Sequence, residues 1–102
     1  MEFARYLAIY NYLSDKRYPE GCNTEQQKKR IRNLARRYLA EDGRLFLKEK
    51  NKQPGPEVLH EVNIEEVIAK VHSEGHFGVN NTWRRIRLQY EGHKLYDKVR
   101  EY

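Results

Sequence analysis

The sequence predicts an α+β fold, a small and mainly helical domain with one β-hairpin. Three observations carry that expectation. Apolar residues recur at three- and four-residue steps in several stretches, as on a helix with one buried face. Between residues 44 and 62 this gives way to a weak alternation broken by NKQPGP, which reads as a hairpin with a loose tip. Clusters of Gly, Pro, Asp and Asn separate the stretches.

Residues 3 to 14 place Phe3, Tyr6, Leu7, Tyr10 and Leu13 on one helix face. DKRYPEGCN, residues 15 to 23, is a loop. Thr24 caps a second helix, with Gln27 completing a weak capping box. That helix is expected over residues 25 to 41. Ile31, Leu34, Ala35 and Tyr38 line one side, and Lys28, Lys29, Arg32 and Arg36 lie largely away from it. Arg30 and Arg37 flank the apolar side, and no acidic residue stands between Lys28 and Arg37. Asp42-Gly43 is expected to end the helix. Leu45 and Leu47 then share one side of a strand, Pro54 and Pro56 belong in the turn, and EVLHEV returns as the second strand.

Asn63 opens the next helix, with Glu66 as its box partner and Ile64, Val67, Ile68 and Val71 as its buried face. Glu65 and Glu66 fit a first helical turn, where they meet the positive end of the dipole. The helix reaches His72 and stops near Gly75. Asn80 or Asn81 caps another helix, with Trp83, Ile86 and Tyr90 apolar and Arg84, Arg85 and Arg87 around the remainder. Glu91-Gly92 breaks it. Residues 94 to 102 form a last helix through Leu95, Val99 and Tyr102, too short to stand alone.

The chain of 102 residues holds one domain, or two small ones sharing a core. The division expected is 1–62, an extension with two helices and the hairpin, and 63–102, a helical unit. The formal net charge of +5 suits contact with nucleic acid or an acidic surface. One cysteine, Cys22, excludes an internal disulfide. No apolar run approaches the ~20 residues of a membrane helix and no signal-peptide pattern opens the chain. A cytoplasmic or nuclear location is the default, and no membrane partner is expected. Eight tyrosines suit a thin core with wet hydroxyls, or a partner surface.

The stretch HSEGHFGVNNTW, residues 72 to 83, pairs His72 with His76. A structural zinc site takes four ligands, usually His and Cys, and a helix end followed by a glycine turn is a platform for two. The alternative is a polar helix end at His72 and a loop histidine at His76 packed on Trp83. A helical HExxH protease site does not fit, because Ser73 follows His72 and Gly75 interrupts the helix. Cys22, His60 and His93 are the other candidate ligands, and there is no CxxC pair.

The segment IAKVHSEGHFGVNNTWRRIRLQYEGHKLYDKVREY resembles the N-terminal zinc-binding (HHCC-like) domain of integrases from gypsy-type long-terminal-repeat retrotransposons. His72 and His76 match the family's two histidine ligands, and Gly75, Phe77 and Gly78 its turn. Thr82, Ile86 and Tyr90 match the helix that follows, and Tyr102 the position ahead of the first cysteine. More loosely, Ile31, Ala35, Tyr38, Asp42, Gly43 and Leu45 match the extension that often precedes this domain. Where the family commonly has YYWPG, this chain reads QYEGH, so Glu91 replaces the aromatic residue and His93 is out of pattern. The family's cysteine pair would follow Tyr102. Either it lies outside these residues, or this is a domesticated relative that has lost it.

The resemblance implies a module that helps an integrase assemble and touch DNA ends, in the nucleus. The family's catalytic acidic triad lies in a separate domain, so no enzymatic activity and no small-molecule substrate are expected here. No cofactor is expected within these residues, and zinc is implied only if the cysteines follow. Two functions remain open. In the first, Lys28, Lys29, Arg32, Arg36, Arg84, Arg85 and Arg87 contact DNA phosphates, weakly and with little sequence reading. In the second, a domesticated module that binds neither zinc nor DNA presents Tyr6, Tyr10, Tyr12, Tyr18 and Tyr96 as anchors to a further copy or another protein.

Overall fold

The computed structural model describes residues 1–51, 53–74, 78–92 and 94–101. The elements run α1 (Phe3–Asp15), α2 (Glu25–Ala35), β1 (Tyr38–Glu41), β2 (Arg44–Lys48), β3 (Pro54–Val58), α3 (Ile64–Ser73), α4 (Val79–Gln89), β4 (Tyr90–Glu91) and α5 (Leu95–Glu101). The class is the expected α+β, but the sheet is larger than one hairpin: four strands in the order β1-β2-β3-β4.

In α1 the buried face centres on Tyr6 and Ile9, both under 5 % exposed, whereas Leu7 is 40 % exposed. Each helical step turns the side chain by about 100°, which carries Leu7 off the face that Tyr6, Ile9 and Leu13 share. The helix starts without a side-chain cap from Glu2. Glu61, far along the chain, takes that role: its Oε1 accepts from the Phe3 N–H at 3.0 Å, and its own N–H donates to the Met1 carbonyl at 2.8 Å. A carboxylate there satisfies a free donor and meets the helix dipole. Lys16 ends the helix in the left-handed region at φ 59°, donating to the Tyr12 carbonyl.

The capping box of α2 is complete. Thr24 Oγ1 accepts from the Gln27 N–H, and Gln27 Oε1 from the Thr24 N–H, both at 3.1 Å. The helix ends at Ala35, however, and not at residue 41. Tyr38 to Glu41 is a strand, paired antiparallel with β2 from Tyr38↔Leu47 to Glu41↔Arg44. Asp42-Gly43 is therefore a hairpin turn and not a helix stop. Both residues have positive φ, 51° and 79°, as a two-residue hairpin loop of the primed type demands, and Asp-Gly is among its favoured sequences. The strand puts Tyr38 and Ala40 on the core side with Leu45 and Leu47.

Pro54 and Pro56 lie in β3, which corrects their placement in the turn. Two features allow it. The β2–β3 register shifts between Phe46↔Glu57 and Lys48↔Pro54, and β4 pairs with β3 only at Glu57 and Val58. Prolines thus fall beside a bulge and an unpaired edge, where a missing N–H costs no ladder bond. Gly55 is required by close approach, since a Cβ there would lie 2.9 Å from the Leu47 carbonyl oxygen.

At the end of β3, Val58 enters one core with Tyr6, Ile9, Ala35 and Leu45. Leu59 enters a second with Ile64, Ile68, Val71, Ile86, Leu95 and Val99. The Asn63–Glu66 box does not form. Asn63 accepts from the His60 N–H at 2.8 Å instead, and its φ of −103° and ψ of −8° are already helical. Likewise α4 starts from Gly78, with Asn80 and Asn81 inside its first turn. It ends at Gln89, and Tyr90-Glu91 run parallel to β3. The Leu59 N–H donates to the Glu91 carbonyl at 2.7 Å.

Two hydroxyls of α1 complete the hairpin: Tyr6 accepts from the buried Leu45 N–H at 2.9 Å, Tyr10 from the exposed Gly43 N–H at 3.0 Å. Tyr6→Phe should cost about 1–3 kcal/mol in urea unfolding, because a buried donor loses its partner. Tyr10→Phe should cost clearly less, because water can replace the hydroxyl. Equal costs would contradict this assignment.

Candidate metal centre and nucleic-acid interface

The amphipathic spacing of α3 buries Ile64, Ile68 and Val71. His72, the next residue, is half-buried in the last turn of the helix and already engaged in a contact of its own. Its expected partner His76 lies outside the described residues, as do Gly75, Phe77, His93 and Tyr102. The structure therefore places one of the two histidines.

The other candidates are elsewhere. Cys22 sits in the loop between α1 and α2, its N–H donating to the Pro19 carbonyl at 3.1 Å. His60 is a packing residue. Its ring lies 4.7 Å from Phe3 and 4.5 Å from Tyr6, and its Nδ1 accepts from the Val62 N–H at 3.2 Å. Burial, and then the positive chain terminus, hold this imidazole below its usual pKa of 6.5. Among the described residues no three His, Cys, Asp or Glu side chains are grouped to hold a metal ion. With one thiol in the chain, the donors present do not make the His2Cys2 set that zinc would take from this kind of domain.

The helices around His72 are joined by packing. Thr82 and Ile86 of α4 are 1 % and 0 % exposed. Trp83 and Tyr96 meet edge-to-face at 5.4 Å, which ties α5 to α4. Glu91 is exposed and acts through its backbone, so Trp83 and Tyr90 supply the aromatic bulk against this core.

On α2, Lys28, Lys29, Arg32 and Arg36 fall within an arc of about 100° by helical geometry. They are not equivalent. Arg32 donates to Glu25 and, at 3.1 Å, to the Tyr18 hydroxyl. The hydrogen bond from Arg32 holds the Glu25 carboxyl below its ordinary pKa. Lys28 lies over the Tyr18 ring at 5.5 Å. Lys29 and Arg36 are exposed and form no ion pair with a described residue. The sequence reading missed Glu25, which stands two helical turns before Arg32, beyond the usual neighbour spacing. On α4, Arg84, Arg85 and Arg87 are all exposed. The structure does not gather the two sets on one element: α2 packs on α1 and β1, and α4 on α3, α5 and β3.

The tyrosines are divided as well. Tyr6 is a core residue with no surface to offer in this fold, and Tyr10 is half-buried against the hairpin turn. Tyr12 and Tyr18 are half-buried, with ring centres 5.5 Å apart and Lys16 over Tyr12. Tyr96 is 38 % exposed.

The family model of the integrase zinc binding domain matches residues 60–102, so a domain of this type occupies the C-terminal part of the chain. The match begins just after the Val58–Leu59 step between the two cores. No curated protein and no solved structure matches the chain.

Since apolar contacts join α3, α4 and α5, excess chelator should leave the helical circular dichroism and the thermal midpoint unchanged. Loss of helix on chelation, or one zinc per chain surviving desalting in native mass spectrometry, would show the packing to be insufficient. His60 predicts a pH effect. An imidazole harder to protonate when folded contributes its full stability above 6.5, and that stability is lost as pH falls from 6.5 through the depressed folded value. Urea midpoints should drop on acidification through this range, and the drop should shrink in His60→Gln. An identical slope in the variant would remove His60 as the cause.

Proposed function

We propose that this chain is a non-catalytic nucleic-acid-binding and assembly module of a gypsy-type retrotransposon integrase, or of a nuclear protein derived from one. The observation that carries the reading is the pair of basic helix faces, one on α2 and one on α4 within the integrase zinc-binding-type domain. Lys29, Arg36, Arg84 and Arg87 would make the main phosphate contacts. Arg85 would add to the α4 set. Lys28 and Arg32, held by Tyr18 and Glu25, would shape the α2 face more than neutralise phosphate. Such contacts give affinity without sequence reading, and release of condensed counterions makes the affinity salt-dependent. Catalysis is no part of the reading. No cluster able to hold a catalytic metal occurs among the described residues.

Neutralising about four phosphates should make log affinity for duplex DNA fall with log salt at a slope of roughly −3 to −4. The Lys29→Glu/Arg36→Glu double variant should weaken binding to all sequences alike and lower the slope by about 2. Fluorescence anisotropy across a salt series measures both. A flat response would instead favour a protein-interaction module, for which Leu88 on α4, 77 % exposed, is the supporting observation.

A further inference from the structure

We propose that two copies of this chain associate through the open edge of β1, the two β1 strands pairing antiparallel about a two-fold axis at Leu39. β1 is first in the strand order, so only one of its sides is paired. The Lys48 N–H donates to the Arg37 carbonyl at 2.8 Å, one step before the Tyr38↔Leu47 register. Bonded and non-bonded pairs alternate in an antiparallel ladder. Leu39 and Glu41 therefore turn their N–H and C=O groups toward β2, as Arg37 does its carbonyl while its N–H donates to the Leu34 carbonyl at 3.3 Å, and Tyr38 and Ala40 turn theirs outward. No described residue bonds to those outward groups. The helices α1 and α2 pack on the sheet face that carries the Tyr38 and Ala40 side chains.

An open edge invites any strand, but the charges here select one occupant. For both outward residues to bond across a two-fold axis, Tyr38 must stand opposite Ala40 of the second copy. Leu39 then meets Leu39 on the axis, and Arg37 faces Glu41 of the second copy, twice by symmetry. Arg37 and Glu41 are both exposed, and neither forms an ion pair with a described residue. Opposite charges directly across a strand pair stabilise it, and like charges oppose it. A slip by two residues in either direction, or a parallel pairing, loses both charge pairs. On the same sheet face Leu39 stands beside Phe46, both half-buried, and the pairing would extend that apolar strip across the axis. The proposal deepens the assembly half of the proposed function. Its test needs no DNA, so failure here leaves salt-dependent binding intact.

The interface is small, so the dimer is expected only at high micromolar to millimolar concentration. Sedimentation equilibrium of the whole chain should show it. Arg37→Glu and Glu41→Arg should each raise the dissociation constant roughly tenfold or more, since each sets like charges opposite one another twice. An equimolar mixture of the two variants should associate again, because Glu at position 37 then faces Arg at position 41 in one place and Arg37 faces Glu41 in the other. The double variant in one chain should also self-associate. Circular dichroism checks that each variant is folded. A wild-type chain that stays monomeric would overturn the proposal. So would single variants that associate like wild type, or a mixture that remains monomeric.

Discussion

The two halves of this molecule are held by the step from Val58 to Leu59. Successive side chains of an extended chain leave on opposite sides, so one peptide unit sends Val58 into the core under α1 and Leu59 into the core among α3, α4 and α5. The same unit is fixed by β4, through the Leu59 N–H and the Glu91 carbonyl. A two-residue strand is negligible alone, yet this one ends α4, starts the approach to α5 and closes the sheet. Each core is small, and neither accounts for the fold without the other. Apolar burial on both sides of one backbone segment makes the arrangement cooperative.

Much of this was legible in the sequence, and the failures share a cause. Long amphipathic stretches gave α1, α3 and α4 nearly to their bounds, and the basic faces followed from them. The error at Tyr38 to Glu41 arose because Tyr38 continues the helical spacing of Ile31 and Leu34 while also beginning a strand alternation with Ala40. The Asp-Gly pair decides the matter, because its stronger meaning is a hairpin turn and not a helix stop. The prolines of β3 misled for a different reason. Tolerance of a proline depends on which neighbour strand is missing, and no local pattern announces a two-residue parallel strand contributed from beyond α4.

The metal question turned on chemistry more than on fold. The sequence pointed to His72 and His76, and the structure places His72 at the end of a well-packed helix, beside α4 and α5. His60 falls in the strand that the alternation predicts, but its ring packs against two aromatic neighbours, with its Nδ1 already accepting a hydrogen bond. Nothing in its spacing could have told that, because Phe3 and Tyr6 reach it from the opposite end of the chain. Glu25 escaped notice for a related reason. It modifies the basic face from two turns away, and only the helix geometry brings it to Arg32.

The Glu61 cap on α1 has a consequence for how the protein is made. A chain emerging from the ribosome presents residues 3 to 15 long before residue 61. During that interval the amides of the first turn have no carboxylate to bind, and Tyr6 waits on Leu45. The first turn of α1 therefore gains its carboxylate contact only once the first residues of the integrase-type domain are present. A chain ending before residue 61 would hold α1 without the carboxylate that binds its Phe3 amide.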